Sequence, residues 1–406
     1  MLKPSDHVVV VGAGLGGWRF AEALRREGFD GAVTLIGDET FAPYDRPPLS
    51  KQVLVGKWEA EKVTLATPER IEQSGVTLLL GSGAVALDCD TMSVRLGDGS
   101  TVVGTHIVIA TGARARRLPF SADADIHTLR NRNDEQQLRE DLDRIAPGSV
   151  VAVIGGGFIG AEVATALRTR GFRPIVLEAL SRPLVASLGE EVSTWLERLA
   201  SDVGIELRNA QHIDDVVRDD AGFSVMFHDG STLKAEAVVV GAGTLLNVEW
   251  LATSGLNIDN GVVVDANLLA TDRVAAIGDI AHFSWNSVLG EESIRIEHWE
   301  VANMHAARLA HFWVTGESSQ ALMVPYFWSD QYAKKLQMLG RPRPDDDVIR
   351  VEGSPVEGKW IAVYSRNGVV TGLIALSRPR ALMMSKHFLD VPTTLEEALE
   401  QAPWTN

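Results

Sequence analysis

Of the 406 residues only one is cysteine, Cys89. A lone thiol forms no internal disulfide, which excludes a redox dithiol beside a flavin and a cysteine-ligated iron–sulfur cluster. It stands in Asp88-Cys89-Asp90, read as a strand end or turn, and is taken as an ordinary structural thiol. Long hydrophobic runs are missing too. None approaches the roughly 18 residues that a membrane helix needs. Basic charge is in deficit, 38 Lys and Arg against 54 Asp and Glu, a net −16 that sets nucleic acid and membrane aside as partners. Residues 1–6 lead straight into an apolar strand and leave no space for a signal peptide, so a cytoplasmic location is expected. No Ser-His-Asp or metal-ligand arrangement stands out, and no metal is expected.

Glycine is plentiful, and its placement carries the most information. Gly12-Ala13-Gly14-Leu15-Gly16-Gly17 follows the apolar run Val8–Val11, and Gly155-Gly156-Gly157-Phe158-Ile159-Gly160 follows Val150–Ile154. Each is a G-x-G-x-x-G between a short strand and a helix, expected over Trp18–Glu27 and Ala161–Arg170. The first glycine makes the tight turn, the second lets backbone approach a pyrophosphate, and the third lets helix and strand pack closely. After the second loop, strand Ile175–Leu177 ends at Glu178, where a carboxylate accepts from adenine-ribose hydroxyls and repels a 2′-phosphate, favouring NADH. After the first, Asp38 and Glu39 are placed to serve another ribose. Two dinucleotide sites in one chain point to a bound flavin, an exchanging nicotinamide and hydride passing between them.

The landmarks repeat. Strand His106–Ala110 ends in Ala110-Thr111-Gly112, and strand Ala237–Val240 ends in Gly241-Ala242-Gly243. Both halves therefore read as α/β units with parallel sheets. The expected organisation is a discontinuous FAD-binding domain (1–114 and 246–321), an NADH-binding domain (115–245) and a C-terminal domain (322–406). The fold class is α/β: two Rossmann-like domains in a glutathione-reductase-like architecture, plus an α+β C-terminal domain. The last domain is expected to hold alternating strands at Trp360–Tyr364 and Val369–Leu376, a helix near Arg380–Phe388 and a surface loop at Pro342–Asp347. Its ten basic and ten acidic residues leave it neutral beside an acidic body, which suits an acidic partner.

Further motifs are more specific. They are Tyr44-Asp45-Arg46-Pro47-Pro48-Leu49-Ser50-Lys51, Gly278-Asp279, Glu297-His298-Trp299, Pro325-Tyr326-Phe327-Trp328-Ser329-Asp330-Gln331 and Arg378-Pro379. With them the chain resembles, nearly end to end, the FAD-dependent NADH:ferredoxin reductases of oxygenase systems, the putidaredoxin reductase and dioxygenase ferredoxin reductase family. That resemblance implies hydride transfer from NADH to FAD, then single electrons to a [2Fe–2S] ferredoxin feeding a monooxygenase or ring-hydroxylating dioxygenase.

It also implies roles. Lys51 would lie at the flavin, paired with Glu162 of the second fingerprint helix; its ammonium would stabilise negative charge on a reduced flavin. Asp279, after Gly278, would bond the ribitol, and Arg46, beside Pro47, and Arg130 would contact the pyrophosphate, with Arg132 close enough to compete for Arg130's role. Trp328 would lie against the pyrimidine edge and Trp299 beside the flavin, although aromatics in such places are commonly core. Glu297 and His298 belong to the same stretch, His298 as a packing or hydrogen-bonding residue. Lys334, Lys335, Arg341 and Arg343 are candidates for a docking face. Ser377 and the run Val301–His305 depart from the family pattern and leave the partner open. A monomer or weak dimer is expected. Two other readings stay open: a rubredoxin or nitrite-system reductase, and an NADH-sensing flavoprotein resembling apoptosis-inducing factor.

Overall fold

A computed structural model describes residues 1–120, 126–220, 222–318 and 324–405. They fall into two compact units. One is Met1–Asp45, Val63–Arg114 and Leu245–Pro325; the other is Arg46–Lys62, Ala115–Thr244 and Tyr326–Asn406. The expected boundary at 321/322 lies outside the described residues. Among those residues no helix is long and apolar enough to cross a membrane.

The first unit is built on a six-stranded sheet. Its order is Leu269–Thr271, Val274–Ala276, His106–Ile109, His7–Val11, Ala32–Gly37, Thr77–Leu80. All pairs are parallel except the outer one formed by Leu269–Thr271. Val8, Val9 and Val10 are all fully buried, as a parallel strand covered on both faces requires. Helix Leu15–Arg26 packs Trp18, Phe20 and Leu24 into this core against helix Trp299–Thr315.

The second unit repeats the plan. A five-stranded parallel sheet runs Glu206–Arg208, Arg173–Leu177, Val150–Ile154, Ala237–Val240, His127–Thr128. It also contains an antiparallel sheet of five strands in the order Tyr326–Gln331, Lys334–Gly340, Val369–Leu376, Lys359–Arg366, Asp347–Ser354.

Two local expectations need correction, and a third gains detail. Strands Lys359–Arg366 and Val369–Leu376 are buried almost without interruption rather than on alternate residues. They are central strands. Helix Val185–Asp202 covers one face, where Trp195 meets Trp360 at 4.8 Å and the Tyr364 hydroxyl donates to the Leu188 carbonyl. Short C-terminal helices pack on Val369–Leu376. The expected helix Arg380–Phe388 is helix Pro379–Met384 followed by a 3₁₀ turn Lys386–Leu389, broken at Ser385, whose hydroxyl bonds back to the Ala381 carbonyl. The loop at 342–347 is pinned from inside. Asp346 is buried and accepts from Arg366 (2.6 and 3.1 Å), Thr371 (2.8 Å) and the Arg343 amide (2.9 Å), while Asp347 already begins a strand.

Candidate dinucleotide and redox site

In the first unit Gly12 adopts φ +118°, and a Cβ there would lie 2.2 Å from the Ala110 carbonyl oxygen. A Cβ on Gly17 would lie 2.1 Å from the carbonyl oxygen of Gly12. Strand, turn and helix thus close on each other at distances only glycine permits. Gly14, open to space, is the extended N-cap of the helix that begins at Leu15. The helix therefore starts at the loop rather than at Trp18. Its first turn holds no acid and no side chain caps it. A helix start whose amides no side chain caps is an arrangement that suits a phosphate.

Several other predicted residues of the unit are fixed by their neighbours. Thr111, between Ala110 and Gly112, exchanges two bonds with Asn247: hydroxyl to carbonyl at 3.0 Å, and amide to carbonyl at 2.8 Å in return. Glu39 accepts from the Tyr44 hydroxyl at 2.6 Å. The Gly278 amide donates to His305 Nδ1 at 3.2 Å, fixing the turn that carries Asp279. Burial pushes His305 down to about 3, so the ring is neutral and able to accept. Arg295 joins the Asp279 carbonyl (3.2 Å) to Glu297 (2.6 Å). His298, pushed down to about 4 by burial, occupies the N-cap position of the helix that begins with Trp299, whose indole donates to Asp45 at 2.7 Å.

In the second unit Gly155 has φ +105°, with a Cβ 2.6 Å from the Gly241 carbonyl oxygen, and Gly160 would place one 1.9 Å from that of Gly155. Gly157 is again an extended N-cap without a side-chain bond, and the helix begins at Phe158 rather than Ala161, with Ile159 exposed. Gly243, at φ +89°, closes the matching turn, its carbonyl accepting from the Arg116 amide at 3.0 Å. Glu178 is held by two backbone donors: Gly156 N–H to Oε2 at 2.7 Å and Leu180 N–H to Oε1 at 2.8 Å. Each oxygen keeps a further acceptor direction for a ligand hydroxyl.

The same unit assembles a buried ionic cluster. Lys51 lies on a π-helical turn, Leu49–Val53, set by Pro47 and Pro48. Its ammonium donates to Glu162 Oε2 at 2.7 Å and to the Pro47 carbonyl at 3.0 Å. Glu162 is only 4% exposed and accepts two further bonds, from Ser50 (2.6 Å) and Ser329 (2.7 Å). Three donors on one buried carboxylate offset its lost hydration. The two serines were not among the predicted site residues. Both lay inside quoted motifs, but no spacing rule joins positions so far apart.

Ser329 belongs to a hairpin that covers the second fingerprint helix along one face. Phe327 meets Phe158 at 4.5 Å, Ser329 meets Glu162, and the Tyr332 amide donates to Thr165 at 2.8 Å. Trp328 points to the opposite face and stacks with Tyr326 at 5.9 Å. Arg46 donates to the Arg130 carbonyl at 3.0 Å, bringing those two predicted residues together; Arg132 pairs with Glu61 at 2.8 Å. Cys89 is half-buried, and desolvation raises its thiol pKa, as for an unreactive cysteine. Among the described residues no group of three or more metal-ligating side chains occurs.

Residues 6–306 match the family model of pyridine nucleotide-disulphide oxidoreductases, and residues 326–403 match the model of the reductase C-terminal region. Rhodocoxin reductase of Rhodococcus erythropolis is 34% identical over 399 residues, covering 97% of this chain and 92% of that protein. The ferredoxin–NAD(+) reductase component of the anthranilate 1,2-dioxygenase system of Burkholderia cepacia is 36% identical over 361 residues, covering 88% and 87%. The covalent putidaredoxin reductase–putidaredoxin complex superposes with a TM-score of 0.92 at 30% identity, covering 99% of this chain and 98% of that one. With one cysteine the chain lacks the dithiol its family name suggests, so the nucleotide loops, not a disulfide, define the kinship. The chain belongs to the pyridine nucleotide-disulphide oxidoreductase family, in its branch of ferredoxin reductases of oxygenase systems.

Proposed function

We propose that the chain is an FAD-dependent NADH:ferredoxin reductase with a [2Fe–2S] ferredoxin as acceptor, acting as a monomer or weak dimer. The observation that carries this reading is the pair of glycine cradles with uncapped helix starts, the second of which fixes an acid, Glu178, beside its backbone amides. The two cofactors supply the chemistry: hydride acceptance by the flavin from NADH, and its release as single electrons. The protein supplies binding, orientation and charge.

The first loop, with Gly12, Gly14, Leu15 and Gly17, is assigned to the FAD pyrophosphate, with Arg46 and Arg130 as cationic partners and Glu39 for the ribose. Asp279 is assigned to the ribitol, and Trp299 and Trp328 to packing at the flavin. The second loop, with Gly155, Gly157, Phe158, Ile159 and Gly160, is assigned to NADH, and Glu178 accepts from its ribose hydroxyls. Lys51 is assigned to stabilising negative charge on the flavin, and Glu162, fixed by Ser50 and Ser329, to orienting that ammonium.

Anaerobic stopped-flow mixing of the FAD-loaded protein with NADH, then with an oxidised [2Fe–2S] ferredoxin, tests the reading. Fast bleaching followed by ferredoxin reduction is expected. Fast bleaching without transfer to any ferredoxin would move the acceptor elsewhere. Slow bleaching into a persistent charge-transfer band would make the protein a sensor instead.

A further inference from the structure

The segment that follows Glu178 carries a second determinant of nucleotide choice. Glu178-Ala179-Leu180-Ser181-Arg182-Pro183 folds over the middle of the second glycine loop: a Cβ on Gly156 would lie 2.9 Å from Glu178 Oε2 and 3.1 Å from the Pro183 Cβ. Arg182 therefore stands one residue from a side chain that touches the loop. An arginine in this stretch is the residue type that accommodates a 2′-phosphate, so position alone would argue for NADPH and against the reading of Glu178.

The structure removes that conflict. The Arg182 guanidinium is engaged by two acids: its Nε donates to Glu190 at 3.0 Å, and its Nη1 bonds Glu197. Each acid is itself supported, Glu190 by the Ser181 hydroxyl at 3.3 Å and Glu197 by the Asn209 side-chain amide at 2.6 Å. Two carboxylates on one guanidinium reverse the local sign. With Glu178 they leave three negative charges and one positive in the segment and its partners.

We propose that Glu190 and Glu197 are specificity-determining residues that sequester Arg182, so Arg182 offers no free guanidinium to a 2′-phosphate even where Glu178 is neutralised. The proposal rests on the assignment of Glu178 to the ribose, and it predicts that rejection of NADPH has two layers. Removing the first alone relieves repulsion; removing the second supplies an attractive fork.

The test is calorimetric titration of the FAD-loaded protein with 2′,5′-ADP and with ADP-ribose, alongside kcat/KM for NADPH and NADH. Glu178→Gln is expected to weaken ADP-ribose binding and to strengthen 2′,5′-ADP only slightly. Adding E190Q and E197Q is expected to strengthen 2′,5′-ADP by a further tenfold or so, with a parallel gain in kcat/KM for NADPH, as one newly freed charged hydrogen bond would give. Adding Arg182→Ala to that triple variant is expected to abolish the gain.

A triple variant no better than Glu178→Gln overturns the proposal, and so does a gain that survives Arg182→Ala. Weakened 2′,5′-ADP binding by Arg182→Ala in the otherwise native chain overturns it as well, since Arg182 would then already be a phosphate ligand. Unchanged ADP-ribose binding in Glu178→Gln overturns the ribose assignment itself, a separate result. Glu190 is largely exposed and Glu197 partly so, and their glutamine forms keep hydrogen-bonding ends, so folding is checked simply by melting and retained flavin absorbance.

Discussion

The two glycine loops invite a position-by-position comparison, because strand register aligns them. Val11 pairs with Ile36 before the first loop, and Ile154 pairs with Leu177 before the second. The next residue on the neighbouring strand is Gly37 in one case and Glu178 in the other. The middle position of the loop differs in the complementary sense. Ala13 faces Gly37, whose Cβ would fall 2.7 Å from the alanine methyl, whereas Gly156 faces Glu178, whose Oε2 would meet a Cβ at 2.9 Å. One small space is thus filled by a methyl group in the first loop and by a carboxylate in the second. The loops share one backbone shape and differ in what stands beside it.

A second difference lies at the start of the second turn of each helix. Arg19 and Glu162 occupy the same distance from the first glycine of their loops. Arg19 makes a partly exposed pair with Glu22 at 2.9 Å, while Glu162 is buried under Lys51 and two serines. The repeat therefore gives both helices the same glycine start, while the residue seven places past the first glycine differs in burial and in partners.

The largest expected effects come from the third glycine. Gly17→Ala should empty the protein of FAD, and Gly160→Ala should leave FAD in place but lower kcat/KM for NADH by a hundredfold or more, since neither backbone contact near 2 Å can be relaxed within the loop. Flavin absorbance and reduction kinetics decide it. Loss of FAD from the Gly160 variant would exchange the assignments of the loops.

Next is the buried pair. Lys51→Met or Glu162→Leu alone leaves its partner's charge buried, at a cost of about 3–5 kcal/mol in unfolding free energy, whereas the double replacement should regain most of that stability. Flavin reduction should remain slow in all three. Recovery of the rate with the stability would make the pair a purely structural one.

Gly156→Ala sharpens the comparison at smaller amplitude. Its methyl must displace the Glu178 carboxylate, so Kd for NADH should rise about tenfold with FAD content unchanged, while Ala13→Gly should alter neither. Equal effects on both cofactors would break the proposed reciprocity.

The smallest effect near neutral pH concerns the first unit alone. His305 has its pKa lowered from 6.5 to about 3, so the unfolded chain takes up a proton that the folded one refuses. Stability is then fully present above about pH 6.5 and is lost progressively as pH falls towards about 3. Melting temperatures across that range should decline less in His305→Gln, which can still accept from the Gly278 amide. An identical decline would place the acid sensitivity elsewhere.

Much of this molecule is written locally. A position needing φ above +100° or contact with a carbonyl at the Cβ site tolerates only glycine, so Gly12, Gly17, Gly155 and Gly160 mark their turns without any knowledge of the rest. Runs such as Val8–Val11 and Val150–Ile154 are strands because buried parallel strands are apolar on both faces. Glu178 follows from the same logic, being one residue past a strand that must lie beside the loop. The helix starts were read late because a glycine N-cap carries no side-chain signal, and the C-terminal strands were read as alternating because covering of both faces is a property of the packed unit.

What tertiary structure alone decided are the partners. Ser50, Lys51 and Ser329 lie 112, 111 and 167 positions from Glu162 in sequence, and no local rule selects them as its donors. Nor does the segment around Arg182 reveal that two acids on the next helix hold its charge. Backbone demands are settled by single residues and can be read from them. The charge that a site presents is a sum over neighbours, and only the fold chooses the neighbours.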